Sequence, residues 1–249
     1  MAKHYDAAVI EREREFHNQR FAEETRDAQE KYYFALRDCD IRYESLIMKH
    51  AANAVVLDYG CAKGDWALRI APTAEKVYGI DISDVAIEAA RQTAARMGLS
   101  NTQFDAMDAH DLAFPDATFD VVFGLGIIHH LDTLKALTEV ARVLKPGGLA
   151  IFREPLGYNA AINVYRRLTP AARTIDEHPL VLSDYRVADE LFADNCWEFH
   201  GLVTLASVPF RSTPLGDLVF KLAHGVDSLL LRVPGLRWQA WAALMVLRK

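Results

Sequence analysis

Between residues 51 and 155 the chain alternates short β-branched runs with amphipathic helical runs, and no feature restricts its fold more. Strand-like segments are AVVLD (54–58), KVYGID (76–81), NTQFD (101–105), FDVVFG (119–124) and GLAIFRE (148–154). Between the second and third lies ISDVAIEAARQTAARMG, with Ser83 placed to cap its start and Gly98 its end. Between the fourth and fifth lies TLKALTEVARVLKPGG, stopped by Pro-Gly-Gly. Strand, helix, strand in repetition requires crossovers, and crossovers produce a parallel sheet with helices on both faces.

The flanks are less regular. Residues 1–50 are charged and rich in helix formers, and Tyr32, Leu36, Tyr43, Leu46 and Ile47 fall at the spacing of a helical apolar stripe. They read as an N-terminal helical lid on a core of 51–155. Residues 156–249 complete the same domain, with a helix over 183–195, strands over 199–207 and 243–249, and an apolar insertion at about 208–240.

The segment VVLDYGCAKGDW (55–66) joins the first strand to the next helix through Gly60, Cys61, Ala62 and Gly64. Small residues let the backbone pass close under a ligand, and the helix start offers free N–H groups. A dinucleotide loop would carry its last glycine where Asp65 stands, and Asp58 just before the loop suits a cationic ligand better than a pyrophosphate. The second strand ends at Asp81, twenty-three residues after Asp58, where a carboxylate can accept two ribose hydroxyls.

These residues resemble the first motif of class I S-adenosylmethionine (SAM)-dependent methyltransferases, D-x-G-x-G-x-G, with Ala62 in place of the middle glycine. DAMDAHDLAFPDATFDVVF (105–123), FDVVFGLGIIHHLD and VLKPGG are similar to later segments of that family, in style nearest to the ubiquinone/menaquinone C-methylases. The resemblance implies a Rossmann-like α/β fold with a seven-stranded, mostly parallel sheet, and a SAM site with S-adenosylhomocysteine as product. It places Asp58, Gly60, Cys61, Ala62 and Gly64 around the methionine, and Asp81 and Ile82 at the ribose. Asp108 and Ala109 would meet the adenine, and Gly124 and Leu125 would line the methionine end.

Methyl transfer from a sulfonium needs alignment and exclusion of water, with a base only if the acceptor must lose a proton. His129 and His130 after the fourth strand, and Glu154 ending the fifth, are the candidates for that base. Tyr33, Glu154, Arg173 and His178 are expected to contact the acceptor, and no spacing demands a metal.

The apolar insertion is expected to cap a lipophilic or aromatic acceptor, with a dimer surface or an interfacial membrane helix as the other readings. A net charge of −6 gives no general reason to bind nucleic acid. No apolar run is long enough to span a bilayer, and the charged N-terminus has no apolar signal core. With three scattered cysteines, the expectation is a cytoplasmic monomer or homodimer acting on a small molecule. The alternative is a SAM-binding protein without methyltransferase activity, because Ala62 departs from the family's loop.

Overall fold

The computed structural model describes residues 7–23, 30–170, 174 and 176–249. Its strands are β1 (Val55–Tyr59), β2 (Lys76–Asp81), β3 (Thr102–Ala106), β4 (Phe119–Leu125), β5 (Leu144–Pro155), β6 (Asp194–His200) and β7 (Ala242–Arg248). They form one sheet of order β3-β2-β1-β4-β5-β7-β6. The first five pair in parallel, and β7 runs antiparallel to both β5 and β6. The chain starts mid-sheet, steps outward to β3, then returns to lay β4 on the other side of β1. That reversal opens a crevice beyond the C-terminal ends of β1 and β4, the usual place for a ligand in an open α/β sheet.

Strand periodicity sends alternate residues to opposite faces, and each face builds its own core. Leu57, Val122, Phe152 and Met245 pack with α6 (Thr133–Val143) and α8 (Leu182–Leu191). Val56, Val121, Phe123 and Leu244 pack with α3 (Arg37–Ala51), α4 (Asp65–Ile70) and α5 (Asp84–Met97). Burying each such side chain stabilises the fold by about 1.5–3 kcal/mol. The expected caps form: Ser83 accepts from the Ala86 N–H, and Gly98 ends α5 at φ 68°.

The N-terminal zone divides. α1 (Ala7–Glu23) and residues 30–36 reach the crevice, while α3 packs in the sheet's helical layer with Cys39, Tyr43 and Ile47 buried and borders the crevice through Asp40, Tyr43 and Glu44. The strand expected over 199–207 is a correction: β6 ends at His200 and a 3-10 helix runs from Thr204 to Phe210. The cause is Asp227, a buried carboxylate that accepts the N–H groups of Leu202, Val203 and Thr204 and the Thr204 hydroxyl. Donors that a strand would pair in a ladder go to that carboxylate instead.

The expected acceptor cap is corrected as well. The insertion forms α9 (Gly216–Leu230) and α10 (Pro234–Arg237), and no residue of 208–240 lines the crevice. Phe220, Ala223 and Asp227 face inward, while Leu218, Leu222 and Leu229 stand outward. No helix among the described residues is long and apolar enough to cross a membrane.

Candidate active site

Two cavities meet at the crevice. The first lies over the loop between β1 and α4, where Gly60, Ala62 and Gly64 take left-handed φ values of 79°, 49° and 81°. Gly60 has a second reason to be glycine: a Cβ there would come within 2.8 Å of the Ile127 side chain. Ala62 holds the same backbone without that freedom, a strain of about 1–2 kcal/mol.

The acidic residues of this wall do two things at once. Asp58 accepts the Ala67 N–H at 3.1 Å and fixes the start of α4. Burial pushes its carboxyl well above the ordinary range, so a cationic ligand would stabilise its charged form. Asp81 accepts the N–H groups of Ala62 and Ser83, both at 2.9 Å, which ties the first loop to the second. Asp108 accepts from the N–H and the Nδ1 of His110. The other nitrogen of that ring, Nε2, accepts the N–H of Asp132, which assigns the ring proton to Nδ1. Burial alone would raise Asp108, but the His110 hydrogen bonds outweigh it and hold the carboxyl below its ordinary value. Ile82, Met107, Ala109 and Leu131 supply apolar walls beside these carboxylates.

The segment carrying Asp108 and Ala109 is clamped from α6. Arg142 donates to the carbonyls of Leu112 and Phe114 and pairs with Asp116 and Glu139, while Glu139 accepts the Leu112 N–H. Over this cavity lies α1, held by Asn18 at the Ser83 hydroxyl and by Arg12 at Asp176. It contributes Ile10, Glu13, His17, Arg20 and Phe21 to the lining.

Where the cavities join, titratable groups gather. Glu13 Oε2 stands 3.2 Å from His130 Nδ1 and 3.5 Å from His17 Nε2. Burial pushes Glu13 up, yet His130, His17 and Thr174 together hold it well below the ordinary carboxylate range. Burial and the neighbouring His129 push His130 down, so its imidazole is neutral at pH 7. The donor atoms of Glu13, His17 and His130 lie within 4.8 Å of one another, as do those of His129, His130 and Glu177. Such a set can relay protons, and its spacing would also span a divalent cation.

Glu154 has no solvent exposure and lines neither cavity. It accepts the N–H groups of Ile127, Ile128 and His129 and sits 2.8 Å from His129 Nδ1. The direct substrate contact expected of it is thereby corrected: its carboxylate braces the turn that presents both histidines. Burial raises Glu154 to about 7 and lowers His129 to about 3.

The second cavity, about 470 Å³, is lined by Tyr32, Tyr33, Trp66, Tyr165 and Trp241 together with Arg20, Arg153, Arg166 and Glu177. Tyr33 stacks on Trp241, with the Arg153 guanidinium over its ring. Leu125, His129 and His130 line it, and Leu125 and His130 border the first cavity too. Gly124 lines neither; a Cβ there would meet the Tyr59 carbonyl at 2.6 Å. His178 also lines neither: its N–H donates to the His129 carbonyl and its ring sits beside Thr133. Arg173 lies outside the described residues.

Reading the sequence missed Glu13, His17 and Arg20. The spacing Glu13-x-x-x-His17 puts both on one face of a helix, which was the available signal.

Comparison with known proteins agrees with this architecture. The family described as "Methyltransferase domain" matches residues 56–148. Over 96 residues the chain is 40% identical to 27-O-demethylrifamycin SV methyltransferase of Amycolatopsis mediterranei (strain S699), covering 37% of this chain and 35% of that protein. It is 37% identical over 103 residues to demethylmenaquinone methyltransferase of Geobacillus kaustophilus (strain HTA426), covering 39% and 44%. The match thus spans less than half of either relative's length. Geranyl diphosphate C-methyltransferase from Streptomyces coelicolor A3(2), solved with Mg2+, geranyl diphosphate and S-adenosyl-L-homocysteine, superposes with a TM-score of 0.62. That superposition covers 85% of this chain and 79% of the other at 12% identity. With its switch-point crevice and an antiparallel β7 beside β5, this chain has the Rossmann-like fold seen in solved class I methyltransferases, and its residues 56–148 match the methyltransferase-domain family.

Proposed function

We propose that this protein transfers a methyl group from SAM to a small aromatic acceptor. The observation that carries the reading is one crevice in which Asp58, Asp81 and Asp108 project from consecutive strand ends beside a loop of left-handed residues. In this reading Asp58, Gly60, Cys61 and Ala62 hold the methionine portion, Gly64, which lies outside the lining against Phe104 and Ala90, turns the loop into α4, and Asp81 and Ile82 hold the ribose. Asp108 and Ala109 take the adenine, and Leu125 borders the sulfonium. Gly124 gives the strand end the clearance it needs.

The acceptor occupies the second cavity, against Tyr33 and Trp241, and the methyl group passes in line between the cavities near Leu125 and His130. His130 is neutral and sits against Glu13, so it can take a proton from a phenol or an activated carbon, and Glu13 stabilises the imidazolium that forms. His129 and Glu154 hold the turn in place. Six aromatic side chains in the lining, Tyr43 with the five named above, support an aromatic acceptor, and the arginines among them support one carrying a polar or anionic substituent.

Calorimetric titration with SAM and S-adenosylhomocysteine tests the cofactor site, comparing wild type with Asp81→Asn. The expected result is binding by wild type and at least tenfold weaker binding by the variant. A folded wild type that binds neither would end the proposal. Transfer of labelled methyl to phenols and quinols then separates an enzyme from a SAM-binding protein that performs no transfer.

A further inference from the structure

Outside the lining of the crevice, α9 turns an apolar stripe to solvent. Leu215, Leu218, Leu222 and Leu229 are 55–65% exposed and follow one another at helical spacing. Phe210 before the helix and Val233 after it are exposed as well. A contiguous exposed apolar face of this kind marks a contact surface.

Charge identifies what it contacts. The insertion carries four cations, Arg211, Lys221, Arg232 and Arg237, against two aspartates, in a chain whose net charge is −6. Asp227 is buried and consumed by the N–H groups of residues 202–204, and Asp217 is paired with Arg37. Arg211, Lys221 and Arg232 are exposed. At about 100° per residue, Lys221 lies roughly 90° from the middle of the stripe, where its stem can follow the apolar face and its head stay in water, and Arg232 follows the helix in the turn after Leu231.

We infer that this face docks on an anionic lipid surface, with α9 lying in the interface plane. A chain of net charge −6 is repelled on the whole from such a surface, and this cationic, apolar face works against that repulsion, so the attraction also orients the molecule. A second copy of the chain would bring the same cations against one another. The inference does not depend on methyl transfer. It joins the proposed function at one point: the 3-10 helix beneath α9 packs against α2 (Glu30–Tyr33) and residues 34–36, which line the second cavity.

Co-sedimentation with vesicles of phosphatidylcholine alone, and of equal parts phosphatidylcholine and phosphatidylglycerol, tests it. Binding is expected only to the mixed vesicles and should weaken as salt is raised. Lys221→Ala and Arg232→Ala should each weaken it about fivefold, and Leu222→Asp should abolish it. All three positions are exposed, so the thermal midpoint should stay within a degree or two of wild type and separate lost docking from lost folding. Equal binding to both vesicles, or to neither, overturns the inference. So does a dimer in light scattering that Leu222→Asp converts to monomer.

Discussion

Ala62→Gly isolates the one residue at which the loop after β1 departs from the D-x-G-x-G-x-G pattern it resembles. Ala62 is held at φ 49°, where an alanine Cβ crowds the following carbonyl at a cost of about 1–2 kcal/mol. Glycine removes that strain but gives the unfolded chain more freedom, which offsets roughly 0.4–1 kcal/mol. The net gain is about 0.5–1 kcal/mol. For a chain of this size that raises the thermal midpoint by about 1–4 °C, at roughly 2–4 °C per kcal/mol. The Ala62 N–H still donates to Asp81, so the loop keeps its anchor. SAM affinity should therefore change by less than about threefold, because the strain is present in both free and bound states. Ala117 provides the control: it is exposed, lies away from the crevice and has φ 53°. Ala117→Gly should raise the midpoint by a similar amount and leave SAM binding unchanged. Differential scanning calorimetry and titration calorimetry read both quantities. If Ala62→Gly fails to raise the midpoint while Ala117→Gly does, the strain at Ala62 is relieved by something else and the reasoning is wrong.

The His129–Glu154 pair fixes a pH dependence. Below about pH 6.5 the unfolded chain protonates a histidine that the fold keeps neutral, which costs stability as pH falls; a carboxyl raised to about 7 acts oppositely down to about 4.5. Wild type should therefore be nearly flat from pH 6.5 to 4.5, whereas Glu154→Gln should lose up to about 1.4 kcal/mol per pH unit there, measured by urea denaturation. Parallel curves would refute the pairing. Arg142→Met should free the clamped segment, cost about 2 kcal/mol, and weaken SAM binding about tenfold with faster amide exchange across residues 108–116. Unchanged exchange would show that the clamp is dispensable. Asp227→Ala strands three N–H groups and should cost about 3 kcal/mol or more, read by chemical denaturation. Methyl transfer should survive exhaustive dialysis against a chelator; a loss restored by one divalent ion would recast Glu13, His17 and His130 as metal ligands.

The sequence alone determined what is local or periodic. Alternating apolar runs predicted the five parallel strands to within a residue or two, except that β5 begins four residues earlier. Ser83 and Gly98 marked the two ends of α5 because capping is a matter of adjacent backbone groups. Small residues after β1 located the loop because a left-handed backbone and a close approach restrict side-chain size wherever they occur. Tertiary structure decided everything that depends on which distant groups meet. Asp227 turned an apparent strand into a 3-10 helix because a carboxylate 23–25 residues away collects its donors. Glu154 is a brace because the β4–β5 register sets its carboxylate under the N–H groups of residues 127–129. Glu13 and His17 entered the site only when α1 closed over the crevice, and α9 turned its leucines outward only because Phe220 and Asp227 were drawn inward. Periodicity announces that a helix has an apolar face; what that face meets is set by the packing of the whole chain.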